Sequence, residues 1–158
     1  MSGARCLQTA VAKSALVAAL QRENAEYMRL LTLLDEQQDQ IVLQNGSEVL
    51  RLSEAIEKQM REVKARREQR ETMQRGLSEK LGLATTAELS SVATVVNGET
   101  EKTIRALGND MNTLLLRVRH RARENQALMG RSVELMQKVR KFRGSLRGFD
   151  EISRGAEL

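Results

Sequence analysis

Proline is missing from all 158 residues. Average usage of ~5% would have supplied about eight, so nothing forces a helix to kink or stop. Aromatic side chains are almost as scarce: Tyr27, Phe142 and Phe149 are the only three. Too few remain to line a sugar-binding cleft or to stack bases. Cys6 stands alone and cannot form an internal disulfide, which suits a reducing compartment. His120 is the single histidine, placed between Arg119 and Arg121, a cationic setting poor for a metal ion. No glycine-rich phosphate loop is present, and Cys6 has no histidine near it in sequence to activate a thiolate. The longest apolar run, Ala15 to Leu20, falls far short of the ~20 residues that span a bilayer. Arg5 and the weakly apolar stretch after it imitate a signal peptide. Gln8 and Lys13 interrupt that stretch, and no Ala-x-Ala-like cleavage site follows. These absences lead us to expect a cytoplasmic protein with no catalytic residues, metal or cofactor.

What is present is periodic. Ile104, Leu107, Met111, Leu114, Val118, Arg121, Asn125, Leu128, Ser132, Leu135, Val139, Phe142, Leu146 and Phe149 follow one another at three- and four-residue steps. All but Arg121, Asn125 and Ser132 are apolar, the pattern of a helix buried along another helix. With 41% apolar and 30% charged residues, the composition fits an all-α bundle or coiled coil.

The stripe Leu16, Leu20, Tyr27, Leu30, Leu31, Leu34 and Ile41 predicts a first helix from about Thr9 to Gln44, interrupted by polar steps at Glu23/Asn24 and Gln37/Gln38. Asn45-Gly46-Ser47 marks a break, with Gly46 ending one helix and Ser47 capping the next. A second helix to about Lys80 carries Val49, Leu52, Ile56, Met60 and Val63. Its face is lost between Lys64 and Thr72, which reads as a solvated section. Gly82 stops it. Thr85 and Glu88 have capping-box spacing and predict a short helix to about Val95, and Asn97-Gly98 opens the long last helix, expected to reach about Arg143. Gly76, Gly108 and Gly130 fall inside predicted helices, either for close helix approach or merely tolerated. The expected architecture is an elongated antiparallel bundle of three long helices plus a short connecting helix. Residues 1–143 would form one domain and residues 144–158 a flexible glycine-containing tail.

The net charge of +5 is uneven, with thirteen Lys/Arg against eight Asp/Glu in residues 97–158. From Arg117 to Arg147 ten cations face only Glu124 and Glu134. Such a run can track phosphates or an anionic membrane. Without aromatics between Arg117 and Lys141, a solvated helix facing an acidic protein or the acidic patches of the first helix is the simpler expectation, with no nucleic acid and no stable membrane insertion.

The segment Asn125-Gln126-Ala127-Leu128-Met129-Gly130-Arg131-Ser132-Val133-Glu134-Leu135-Met136 resembles the C-terminal helix of FlgN-type flagellar export chaperones. Leu30-Leu31-Thr32-Leu33-Leu34-Asp35-Glu36-Gln37 is similar to that family's leucine-rich first helix, and Asn45-Gly46-Ser47 and Leu81-Gly82-Leu83 fall in the family's order. The resemblance covers roughly residues 12–143. One departure is the pI near 9.8, since small export chaperones are commonly acidic.

The resemblance implies a cytoplasmic chaperone that caps the C-terminal helices of hook–filament junction proteins and prevents their premature assembly. It also implies delivery of the client to the export gate and ATPase components. Candidate client-binding residues are Met111, Leu128, Met129, Leu135, Met136, Val139, Phe142, Leu146 and Phe149. Methionines among them would supply an adaptable surface, although the same side chains could simply pack on the first two helices. A monomer or weak homodimer is expected. The alternative is a structural homodimeric coiled-coil adaptor without a transient client.

Overall fold

A computed structural model of the chain describes residues 2–132. These residues form an all-α bundle fold of four helices: α1 Ser2–Val42, α2 Gly46–Lys80, α3 Leu89–Val96 and α4 Gly98–Gly130. Three long helices and one short connector therefore appear as the periodicity predicts. The stretch from residue 144 onward lies outside the described residues.

The boundaries differ from expectation in instructive ways. At the end of α1 the left-handed residue is Gln44, with φ 55°, not Gly46. The Asn45 amide donates to Gln40 O and the Gln44 amide to Ile41 O, the paired bonds of a Schellman end. The cap of α2 is the Asn45 side chain, whose Oδ1 accepts from the Glu48 amide at 3.4 Å, so Ser47 already lies inside the helix. At the end of α2, Gly82 takes φ 74°, and the same bond pair forms from Leu83 to Ser78 and from Gly82 to Glu79. The Thr85–Glu88 capping box does not form; α3 starts later, at Leu89, and Glu88 at its N-cap makes no side-chain cap bond.

Two compact units partition the described chain. The first holds residues 2–25 and 65–112, the second residues 26–64 and 113–132. Leu16, Leu20, Leu77, Val92, Ala93, Ile104 and Met111 fill the first core with no exposed surface. In it, the Asn24 Nδ2 donates to Leu107 O across α1 and α4. A Cβ at Gly108 would lie 3.4 Å from Leu89 Cδ2, so this glycine permits close approach of α3 to α4. Gly76 meets nothing and is merely tolerated.

In the second unit, Gln37 meets Ser53 and Gln59 meets Glu26, so α1 and α2 run antiparallel. Asp35 meets Arg121 and Gln38 meets Glu124, so α4 runs alongside α1 in the same direction. Tyr27, Leu30, Leu34, Val49, Leu52, Val63 and Val118 fill this core. Burying each leucine or valine contributes about 1.5–3 kcal/mol, and Tyr27 supplies the one large ring.

Polar positions that interrupt the α1 stripe remain inside. Glu23 is fully buried and receives Arg70 Nε at 2.8 Å, with Arg70 itself 3% exposed. Arg70 also donates to Gln74 Oε1. The stretch from Lys64 to Thr72 is therefore not wholly solvated: its central cation is core.

Candidate functional site

The face of α4 is broader than a single seam. Ile104, Met111, Val118 and Asn125, seven residues apart, are all buried. The second buried row is Gly108, Leu115 and Ala122; Leu107, Leu114, Arg121 and Leu128, which the spacing assigned to it, are half-buried on the flank. Hydrophobicity alone favoured the larger side chains. Geometry placed Leu115 with the small Gly108 and Ala122 instead, and at Gly108 the missing side chain lets α3 approach.

A polar clasp crosses the second unit where the seam loses its apolar character. Asn125 Nδ2 donates to Leu34 O at 2.8 Å and to Gln37 Oε1 at 3.1 Å. Gln37 Nε2 donates onward to the Ser53 hydroxyl at 3.0 Å, and that hydroxyl to Val49 O. One chain of hydrogen bonds thus links α4, α1 and α2. On the rim, Arg121 Nε pairs with Asp35 Oδ1 at 2.7 Å, and its Nη1 reaches Gln38 and Glu124. The predicted exceptions in the apolar pattern, Arg121 and Asn125, are the residues that align α4 on α1.

Beyond the clasp the covering thins. Leu128 and Met129 are partly buried and pack against Ile41 and Val49, which are themselves buried. Nearby in sequence, Val42 and Leu43 are about 70% exposed, at 69% and 71%. The helix ends at Gly130, where the expected continuous helix ran on to Arg143. Arg131 and Ser132 turn with amide bonds back to Leu128 O and Met129 O. Glycine lacks the helix propensity to carry α4 through this step.

Of the candidate client-binding residues, Met111 sits in the core of the first unit with no exposed surface. Leu128 and Met129 come together at the end of α4. Leu135, Met136, Val139, Phe142, Leu146 and Phe149 lie outside the described residues. The expectation that the basic helix faces acidic patches of the first helix is met by Arg121 and Asp35; Gln38 as a partner of α4, and Glu23 as partner of Arg70, were missed. A usable signal existed: Glu23 and Arg70 lie nearly equidistant from the turn at Asn45-Gly46, as do Gln37 and Ser53.

Among the described residues no group of three or more His, Cys, Asp or Glu is placed to hold a metal ion. No described helix is long and apolar enough to cross a membrane. His120 is exposed, 3.2 Å from Glu124 Oε1 on the next turn. In the first unit an open cleft of about 150 Å³ lies between α3 and α4, floored by Leu89, Ala93 and Gly108, too small to seat a helix.

This is the anatomy of a helical packing protein, with apolar groups graded from buried to half-covered along α4. The model of the FlgN protein family matches residues 12–145, so the chain belongs to that family. FlgN proteins are flagellar export chaperones, not enzymes. No curated protein and no solved structure gave a significant match.

Proposed function

We propose that this chain acts in the cytoplasm as a chaperone for hook–filament junction proteins. It covers the amphipathic helices at the client's C-terminus and delivers them to the export gate and ATPase components. The family membership carries this reading. The partly covered pair Leu128 and Met129, at the point where the packed part of α4 ends, supports it. A client helix destined to bury its apolar face in a filament needs a substitute apolar surface beforehand, and helix-in-groove contact supplies one. The three- and four-residue spacing continues from Leu128 through Ser132, Leu135, Val139, Phe142, Leu146 and Phe149. Its apolar side chains, with Met129 and Met136, form the proposed client strip. Met111, wholly buried, is assigned to packing.

The test is co-purification with the C-terminal segment of a junction protein. Leu135→Asp combined with Phe142→Asp is expected to abolish capture while the helical circular dichroism and melting of residues 2–132 persist. Full capture by that folded double variant rules out the strip.

A further inference from the structure

The outward side of α4 in the second unit carries cations that the fold does not use. Arg121 is committed to Asp35 and Glu124. Its neighbours Arg117, Arg119 and Arg123 have no carboxylate partner among the described residues. Arg117 and Arg123 are exposed, and Arg119 is half-exposed. Leu116, Arg119, His120, Arg123 and Ala127 recur at three- and four-residue steps and so share one stripe of the helix. That stripe faces away from Val118, Ala122 and Asn125, the residues that hold α4 in place. Leu116 on it is 65% exposed.

Within the second unit the excess of positive charge lies on this helix. Residues 113–132 hold five arginines against Glu124 alone, whereas residues 26–64 of the same unit hold eight Asp/Glu against five Lys/Arg. A single basic ridge beside acidic helices selects for the size and shape of its partner as well as its sign.

We propose that this stripe docks an acidic amphipathic protein helix, with carboxylates on Arg119 and Arg123 and an apolar side chain on Leu116. Guanidinium groups bind carboxylates in a two-pronged geometry and remain charged at any working pH. A partner helix contacts one ridge and avoids the acidic residues of α1 and α2. A nucleic acid would extend over those acids, and residues 113–132 hold no aromatic side chain on which bases could stack. An anionic membrane would attract the same cations but find no apolar face to bury beyond a lone leucine, and titration with vesicles separates it from a protein helix.

The probe is a fluorescein-labelled synthetic helix with Glu at every fourth position and one Leu per two turns, titrated into the full chain by anisotropy. We expect saturable binding that weakens at high salt. Arg119→Glu with Arg123→Glu should weaken it roughly tenfold or more, equivalent to about 1.4 kcal/mol, and Leu116→Ser several-fold. All three positions are surface-accessible, so helix content and melting should not change. The variant Arg61→Glu with Lys64→Glu, which alters exposed cations on α2 of the same unit, should bind the probe as the unaltered chain does. Absence of saturable binding overturns the proposal, as does undiminished binding by the α4 charge-reversal variant. Tighter binding of a single-stranded oligonucleotide, or of phosphatidylglycerol vesicles, than of the acidic helix overturns it too.

Discussion

Glu23 and Arg70 place opposite charges where almost no water reaches them. Desolvation of the two ions offsets most of their attraction, so such a pair contributes little net stability while making each partner dependent on the other. Glu23→Leu leaves Arg70 as a buried unpaired cation and should cost about 3–5 kcal/mol. Glu23→Leu combined with Arg70→Met, which restores an apolar pair, should be close to neutral. Urea denaturation of the three proteins checks both statements, and additive losses in the double variant would refute the coupling. The pair was hidden in the sequence because hydrophobic periodicity counts every charge as surface. The same blindness put Asn24 and Gln37 outside the core, although they occupy stripe positions between Leu20 and Tyr27 and between Leu34 and Ile41. The apolar members of the stripe, from Leu16 to Ile41, are buried as their spacing predicts.

At the level of the helix, existence and order were legible and the ends were not. Period and the absence of proline predict three long helices and a connector, which the structure contains. Caps depend on a few hydrogen bonds for which several residues compete. At the first turn Gln44 and Asn45 took the roles assigned to Gly46 and Ser47. At α3 a capping box with the right spacing was left unmade. Gly76 inside α2 and Gly82 just beyond its end give opposite expectations. Gly76→Ala adds a methyl that meets nothing inside a helix, and should stabilise the protein by about 0.5–1 kcal/mol. Gly82→Ala also meets nothing, but at φ 74° it should destabilise by about 1–2 kcal/mol. Thermal melts of the two variants should shift in opposite directions; a shared direction would show that the local backbone, not propensity, has changed.

For the whole chain, the family was readable from leucine and methionine runs, and the FlgN model matches residues 12–145. Which seam residues are spoken for internally was not readable, because burial of Met111 and half-burial of Leu128 depend on what stands opposite them. A chaperone with an uncovered strip should stay a monomer or weak dimer. Light scattering across a concentration series should therefore report a mass near the 17.8 kDa of one chain at the dilute end. A dimer that survives dilution would instead favour the coiled-coil adaptor.

The amide of Asn125 has one further consequence. Helices with greasy side chains every seven residues can slip past one another by one repeat and still match oil with oil. In the second unit such slippage would bring Val118 to the Leu34 carbonyl and Gln37, and carry Asn125 toward Ile41 and Val49, stranding an amide in hydrocarbon. An otherwise repetitive rail is thereby given a single stop.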